Sequence, residues 1–485
     1  MAANDLRHKG FAERREAALE KILHLDPWLS NYRNDLKLRM DNLETKRRLL
    51  LGEKGTLREF ANGHHYYGFH RTETGWVYRE WAPAAHLLFL VGDFNQWERY
   101  THPLHRNEHG DLEIRLEGHD ALKHGQRVKV MVQYDYEDHF KIPLYCRRVE
   151  QEVHADGSVD WMGIIWEPEE NYVWDDHDFK PAKGAPLIYE AHVGIAQEEG
   201  VISSFRQFVE FTLPKIKRAG YTAVQLMGIM QHPYYGSFGY HVSNFFAVSS
   251  WFGTPDDFKY LVDSAHQLGL SVYMDLVHSH AVKNTAEGIN RFDGTQEQFF
   301  LPGEAGLHRA WDSMCFDYGK PEVLHFLLSN LKYWLEEYHL DGFRFDGITS
   351  MLFQDHGLGT SFDSYDKYFS LNTNIDAVSY LTLATQLVHE IKRNAVLIAE
   401  DMSGMPGLCL PPESCGIGFD YRLPLGIPDL WIKLMQTNDY DWSMHKIYYE
   451  LTTRRPKEKK IAYTESHDQA LVGDKTLFFW LADEQ

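Results

Sequence analysis

The sequence predicts an α/β chain of several domains: a (β/α)8 TIM barrel preceded by a helical arm and a small β-sandwich. Three observations predict it. After about residue 185, apolar strand-like runs alternate with longer amphipathic segments, the pattern of parallel strands joined by helical crossovers. Acidic and polar residues gather at the ends of those runs, where a barrel places its active site. The 485 residues also exceed what one ordinary core fills.

Residues 1–55 are rich in Leu, Lys, Arg and Glu, with Leu36, Leu43 and Leu50 spaced by sevens and no strand-like alternation, so a helical arm is expected. From 56 to 165 the character changes. Short aromatic and β-branched runs, such as WVYREWAPAAHLLFLVGDFNQW (76–97) and QRVKVMVQYDY (126–136), are broken by Gly, Pro, Asn and Asp, as in a β-sandwich.

The third region, 166–485, holds the barrel, with strands expected at LIYEAHV (187–193), TAVQLMGI (222–229), SVYMDLVH (271–278), LDGFRFDG (340–347), AVLIAED (395–401), GIGFDYR (416–422) and KIAYTES (460–466). Leu324, Leu328, Leu331, Leu335 and Tyr338 step by four and three, which predicts a helix with one apolar stripe. A second helix should start at Thr254-Pro255 and stop before Gly269. An open doubly wound sheet is disfavoured because YEAHVGIAQEEG, after the first strand, carries no Gly-rich phosphate turn. The sequence ends about twenty residues after the seventh run, so the barrel is expected to be incomplete at its C-terminus, with two sheet edges unpaired and aggregation of the isolated chain as the consequence.

Composition excludes some functions. Lys plus Arg number 49 against 70 Asp plus Glu, and a formal net charge of -21 repels nucleic acid and anionic membrane surfaces. Cys146, Cys315, Cys409 and Cys415 form no CxxC pair and no metal-ligand spacing, and no nucleotide motif occurs, so neither metal nor cofactor is expected. The N-terminus lacks a signal-peptide layout, and no 18 apolar residues run together. A cytoplasmic setting is the expectation, with a plastid open only to a chain whose transit peptide has been removed.

Four strand ends supply acids: Asp275 before Val-His-Ser-His280, Arg344 with Asp346, Glu400-Asp401, and Glu465-Ser-His467-Asp468. The spacing of two puts Arg344 and Asp346 on one strand face. Cleavage at an acetal needs one carboxylate to attack the anomeric carbon and a second to protonate the leaving oxygen, about 5 to 5.5 Å apart in retaining enzymes. Asp346 and Glu400 are the natural pair, since Arg344 favours an ionised Asp346. Spacing alone does not choose Glu400 over Asp401, nor exclude Glu465. Asp341, five residues from Asp346 and on the opposite face, reads as structural, and single acids or histidines at strand ends commonly serve as caps or ion-pair partners.

The stretches GYTAVQLMGIMQHPYYGSFGYHVSNFFAVSSWFGTPDDFKYLVD, MDLVHSH, DGFRFDGITSM, IAEDMSGMPGLC, GFDYRLPLGIPDLWIK and IAYTESHDQALVGDK resemble the α-amylase superfamily, glycoside hydrolase family 13, and within it the branching enzymes of the eukaryotic glycogen and starch type. The likeness runs from about residue 22 to the end. It implies that Asp346 is the nucleophile, Glu400 the general acid/base and Asp468 the third carboxylate, gripping sugar hydroxyls. It also implies substrate contacts: Arg344 holding Asp346, His280 and His467 bonding the sugar at the cleavage point, Tyr240 stacking beneath it, and Asp275 supporting from the third strand.

EWAPAA and GDFNQW similarly resemble a carbohydrate-binding module, in which Trp81 and Trp97 are either sugar platforms or core. Two departures, PPESCGIG (411–418) without the usual glycine-rich, Gln-containing run and Thr464 where Ala is common, bear on chain-length preference. The partner implied is an α-glucan polysaccharide, such as glycogen, amylose or amylopectin, and the activity implied is transfer of a cleaved α-1,4 chain to a glucose 6-hydroxyl. A glucan hydrolase on the same scaffold and a non-catalytic glucan-binding protein stay open as alternatives.

Overall fold

A computed structural model describes residues 2–52, 55–471 and 475–482. They divide into two compact units, one from the described residues of Met1–Glu53, Phe343–Gln386 and Ala395–Gln485, the other from Lys54–Gly342 and Leu387–Asn394.

In the first unit the arm is two helices, α1 (Ala2–Leu25) and α2 (Arg33–Leu51), joined by a turn that Pro27 opens. Leu19, Ile22, Leu29 and Leu36 are buried with Leu410 in one apolar cluster, so the arm contributes core to its unit. Polar contacts fix the register. Asp26 accepts from the Tyr365 hydroxyl at 2.6 Å and pairs with Arg455 at 3.3 Å, and Lys46 pairs with Asp376 at 2.9 Å.

The second unit begins with two single-turn helices, α3 (Leu57–Phe60) and α4 (Gly63–Tyr66), followed by the sandwich. Its strands are β1 (Gly68–Arg71), β2 (Gly75–Glu80), β3 (Leu87–Gly92), β4 (His105–Arg106), β5 (Leu112–Glu117), β6 (Arg127–Tyr134), β7 (Glu137–Lys141), β8 (Arg148–Val153) and β9 (Val159–Ile164). One sheet runs β1-β2-β5-β4, and the other carries β3, β6, β9 and β8 with β7 on β6. Trp76, Leu122, Val128 and Ile165 form a buried cluster of the sandwich. Glu80 is fully buried and accepts from the Tyr78 hydroxyl and the Leu144 N–H; burial pushes its carboxyl up to about 8 against those bonds.

The same unit continues into parallel strands β10 (Ile188–His192) and β11 (Ala223–Met227), then a hairpin, β12 (Met230–Gln231) with β13 (Asn244–Val248), then β14 (Ser271–Leu276). β10, β11 and β14 pair in parallel, Ile188 opposite Ala223 and Ala223 opposite Ser271. β13 turns aside to pair in parallel with sandwich strand β8, Val248 opposite Arg148. Short strands β15 (Ala281–Val282), β16 (Leu307–His308) and β17 (Ser313–Met314) make a small sheet after β14.

Helix α5 (Pro255–Gln267) starts as expected: the Thr254 hydroxyl accepts from the Asp257 N–H, and the Asp257 carboxylate accepts from the Thr254 N–H. Helix α6 (Pro321–Glu337) buries Leu324, Leu328, Leu331 and Leu335, the stripe read from the sequence. Asp341 is structural: it accepts from the Val272 N–H at 2.8 Å and lies 2.8 Å from His266 Nε2 and 2.7 Å from Lys392 Nζ.

The first unit supplies β18 (Gly342–Phe345), β19 (Val396–Glu400) and β20 (Tyr421–Leu423), adjacent in that order, with Gly342 belonging to the second unit. Six expected strands are therefore present. The seventh, 460–466, differs: it meets β20 only through an isolated bridge, Arg422 opposite Lys460, with two backbone bonds, Arg422 N–H to Lys459 O and Ile461 N–H to Arg422 O. With so few ladder bonds on one flank, the segment is not held as a strand. The end of the YTESHDQALVGDK motif, 472–474, lies outside the described residues. Among the described residues no helix is long and apolar enough to cross a membrane.

Candidate active site

Asp346 follows β18 directly, and Gly347 after it turns the chain with φ 62° into the one-turn helix α7 (Ile348–Leu352). That left-handed backbone suits glycine and frees the Gly347 N–H to donate to Glu400 Oε2 at 2.7 Å. Arg344, 1% exposed, donates to Asp346 Oδ1 at 2.7 Å and lies 3.2 Å from Glu400 Oε2. One buried guanidinium thus binds the carboxylates from two neighbouring strand ends, which keeps both near one spot and offsets their mutual repulsion. Their side chains keep 12% and 14% exposure, so both are open to a ligand.

The alternatives left by spacing separate here. Asp401 turns inward: Arg422, the Thr349 hydroxyl, Ser403 and the Gly404 N–H all donate to it, leaving no accessible oxygen for chemistry. Glu465 is exposed and accepts from the Leu477 N–H at 2.7 Å. Asp468, at the start of α8 (His467–Leu471), lies 3.2 Å from His467 Nε2. Burial raises the Asp468 carboxyl, but the hydrogen bond and charge of His467, with the charge of Arg344, outweigh it and hold the group below its usual range. Arg344, Asp346, Glu400, His467 and Asp468 all belong to the first unit.

The other three predicted residues, Tyr240, Asp275 and His280, belong to the second unit. Asp275, at the end of β14, accepts from the Tyr240 hydroxyl at 2.7 Å, which fixes the ring at the tip of the β12–β13 hairpin. His280 is buried and packs against Trp311 with ring centroids 5.1 Å apart; burial, then the charges of His241 and His308, lower it to about 3, so the ring stays neutral. His278 bonds Asn330 at 2.9 Å and is structural. Sequence reasoning missed the Gly347 N–H, for which Asp-Gly at a strand end is the usable signal, and Trp311, for which no motif pointed to His280.

Residues 66–146 match carbohydrate-binding module 48 (isoamylase N-terminal domain), and 209–304 match the alpha amylase catalytic domain. The solved structure of a pullulanase from Bacillus acidopullulyticus superposes with TM-score 0.60 at 17% identity, over 83% of this chain and 52% of that one, which shows a shared fold: the sandwich followed by the α-amylase (β/α) barrel. The 1,4-alpha-glucan-branching enzyme 2-2, chloroplastic/amyloplastic, of Arabidopsis thaliana is 47% identical over 96% of this chain and 58% of its own length. The 1,4-alpha-glucan-branching enzyme of Dictyostelium discoideum is 46% identical over 96% of this chain. This chain spans 69% of that relative's length, and on such identity across so much of both proteins it belongs to the 1,4-alpha-glucan-branching enzyme family.

Proposed function

We propose that the protein cleaves α-1,4-glucan and transfers the chain held on the enzyme to a glucose 6-hydroxyl, with Asp346 as nucleophile and Glu400 as acid/base. The observation that carries the reading is the Arg344 bridge, which sets two partly open carboxylates side by side in a chain of this family. In the first step an Asp346 oxygen attacks C1, the C1–O4 bond breaks, and the Glu400 proton passes to O4 of the departing piece. In the second, Glu400 takes the proton of an acceptor 6-hydroxyl, whose oxygen attacks C1 and returns the electron pair to Asp346. Two inversions retain the α configuration.

Asp468 and His467 grip hydroxyls of the sugar that Asp346 attacks, and the family likeness assigns Tyr240 as a sugar-stacking ring, with Asp275 and His280 as further substrate-binding residues. Residues 56–165 act as the carbohydrate-binding module, 1–55 as an arm and 166–485 as the catalytic region. The partner is a neutral α-glucan, consistent with the net charge of -21, and the setting is cytoplasmic.

The test is to incubate amylose with the protein and follow iodine colour and reducing ends together. Branching lowers iodine absorbance with little gain in reducing ends. A parallel rise in reducing ends identifies a hydrolase, and no change in either identifies a non-catalytic binder; both results overturn the proposal.

A further inference from the structure

Apart from the residues proposed for catalysis, three potential metal ligands from two elements distant in sequence converge. One ligand-capable atom from each of His64, His65 and Glu336 lies within 4.8 Å of the other two. The convergence follows from how α4 seats on α6. Gly63 donates its N–H to the Ser329 hydroxyl at 2.8 Å, and a Cβ at Gly63 would come within 2.7 Å of the Tyr145 hydroxyl, so only glycine permits this approach. The approach carries His64 and His65, ring centroids 4.0 Å apart, to the C-terminal turn of α6, where Glu336 stands.

We propose that His64, His65 and Glu336 form a zinc-binding site that clips α4 to α6. His64 is 6% exposed, and its Nδ1 has no hydrogen-bond partner, an orphaned buried polar atom that a metal would satisfy. Two imidazoles and one carboxylate favour Zn2+ over Mg2+ or Ca2+, with water completing a tetrahedron. Glu336 is held at 2.9 Å by Arg58, a half-exposed side chain whose surface pair yields at low cost. Lys332 and Arg147 oppose a dication, so affinity should be micromolar rather than picomolar. The sequence carried no ligand spacing for this site, because its donors come from two elements that meet only in the fold.

The test is equilibrium dialysis of the protein and of two variants against micromolar Zn2+, with the bound metal quantified, and Co2+ absorption as a second readout. His65→Ala removes an exposed ring, and Glu336→Gln preserves shape, so both should fold. With other histidines among the chain's 27 able to bind weakly, the difference between proteins is what decides. The expected result is one more tight equivalent in the unmodified protein than in either variant, affinity at this site falling at least about tenfold, and a tetrahedral Co2+ band that both variants lose. Equal binding by all three, no binding by any, or loss in only one variant overturns the three-ligand site.

Discussion

Arg344 donates to Asp346 Oδ1 at 2.7 Å from strand β18, while its second terminal nitrogen stands 3.2 Å from Glu400 Oε2. A lysine cannot reproduce that fork. Arg344→Lys should lower kcat by about 10²- to 10³-fold, the scale of losing one preorganised charge contact, with a smaller change in KM. Steady-state kinetics on amylose check this, and an unchanged kcat would show that the bridge is dispensable.

Asp346→Asn should lose at least about four orders of magnitude in rate, since no neighbouring group can form the glycosyl ester. Circular dichroism establishes that the variant is folded, and single-turnover kinetics measure the loss. An active, folded Asp346→Asn protein removes the assignment.

The adjacent acids Glu400 and Asp401 should respond in opposite ways. Asp401→Asn removes one of the two carboxylates that face buried Arg422, leaving Glu458 at 3.1 Å, and weakens the bonds from Thr349, Ser403 and Gly404, so it should destabilise by about 1 to 3 kcal/mol. Glu400→Gln should fold with little change in denaturation midpoint yet lose about 10²- to 10⁴-fold in rate. Urea melts beside activity assays separate the two, and the reverse pattern would exchange their roles.

Glu80 supplies a pH test inside the sandwich. Its carboxyl is raised to about 8 when folded, against 4.5 for the ordinary group. Between those values the folded state holds a proton that the unfolded state has released, so stability falls as pH rises across that window. Glu80→Gln cannot ionise and should flatten the slope between about pH 5 and 8; a melting series with an unaltered slope would refute the buried, protonated state.

In the arm, Leu29→Ala should cost about 2 to 5 kcal/mol by opening a cavity beside Leu19, Ile22 and Leu410. Thermal denaturation measures it, and a loss below about 1 kcal/mol would mean that the turn after α1 carries no core.

Periodicity made much of this legible. The stripe of α6, the Thr254 cap of α5 and six of the seven expected strands follow from local patterns of burial and capping, which sequence records directly. The pairing of Arg344 with Asp346 also followed from alternation along a strand. What spacing could not decide was the choice between Glu400 and Asp401, because adjacent residues on a strand end differ only in which neighbours receive them: Arg344 and Gly347 for one, Arg422, Thr349 and Ser403 for the other. The 460–466 run has strand composition yet makes a single bridge, since composition gives no account of how many ladder bonds a flank supplies.

β13 leaves the parallel strands to pair with β8, and the hairpin it closes with β12 holds Tyr240 against Asp275. A continuous hydrogen-bonded backbone therefore links the module's sheet to the ring assigned to cradle the sugar, with no loose tether between them. Loosening β8, for example at Arg148, should be felt as altered grip on short oligosaccharides even when they are too small to touch the module.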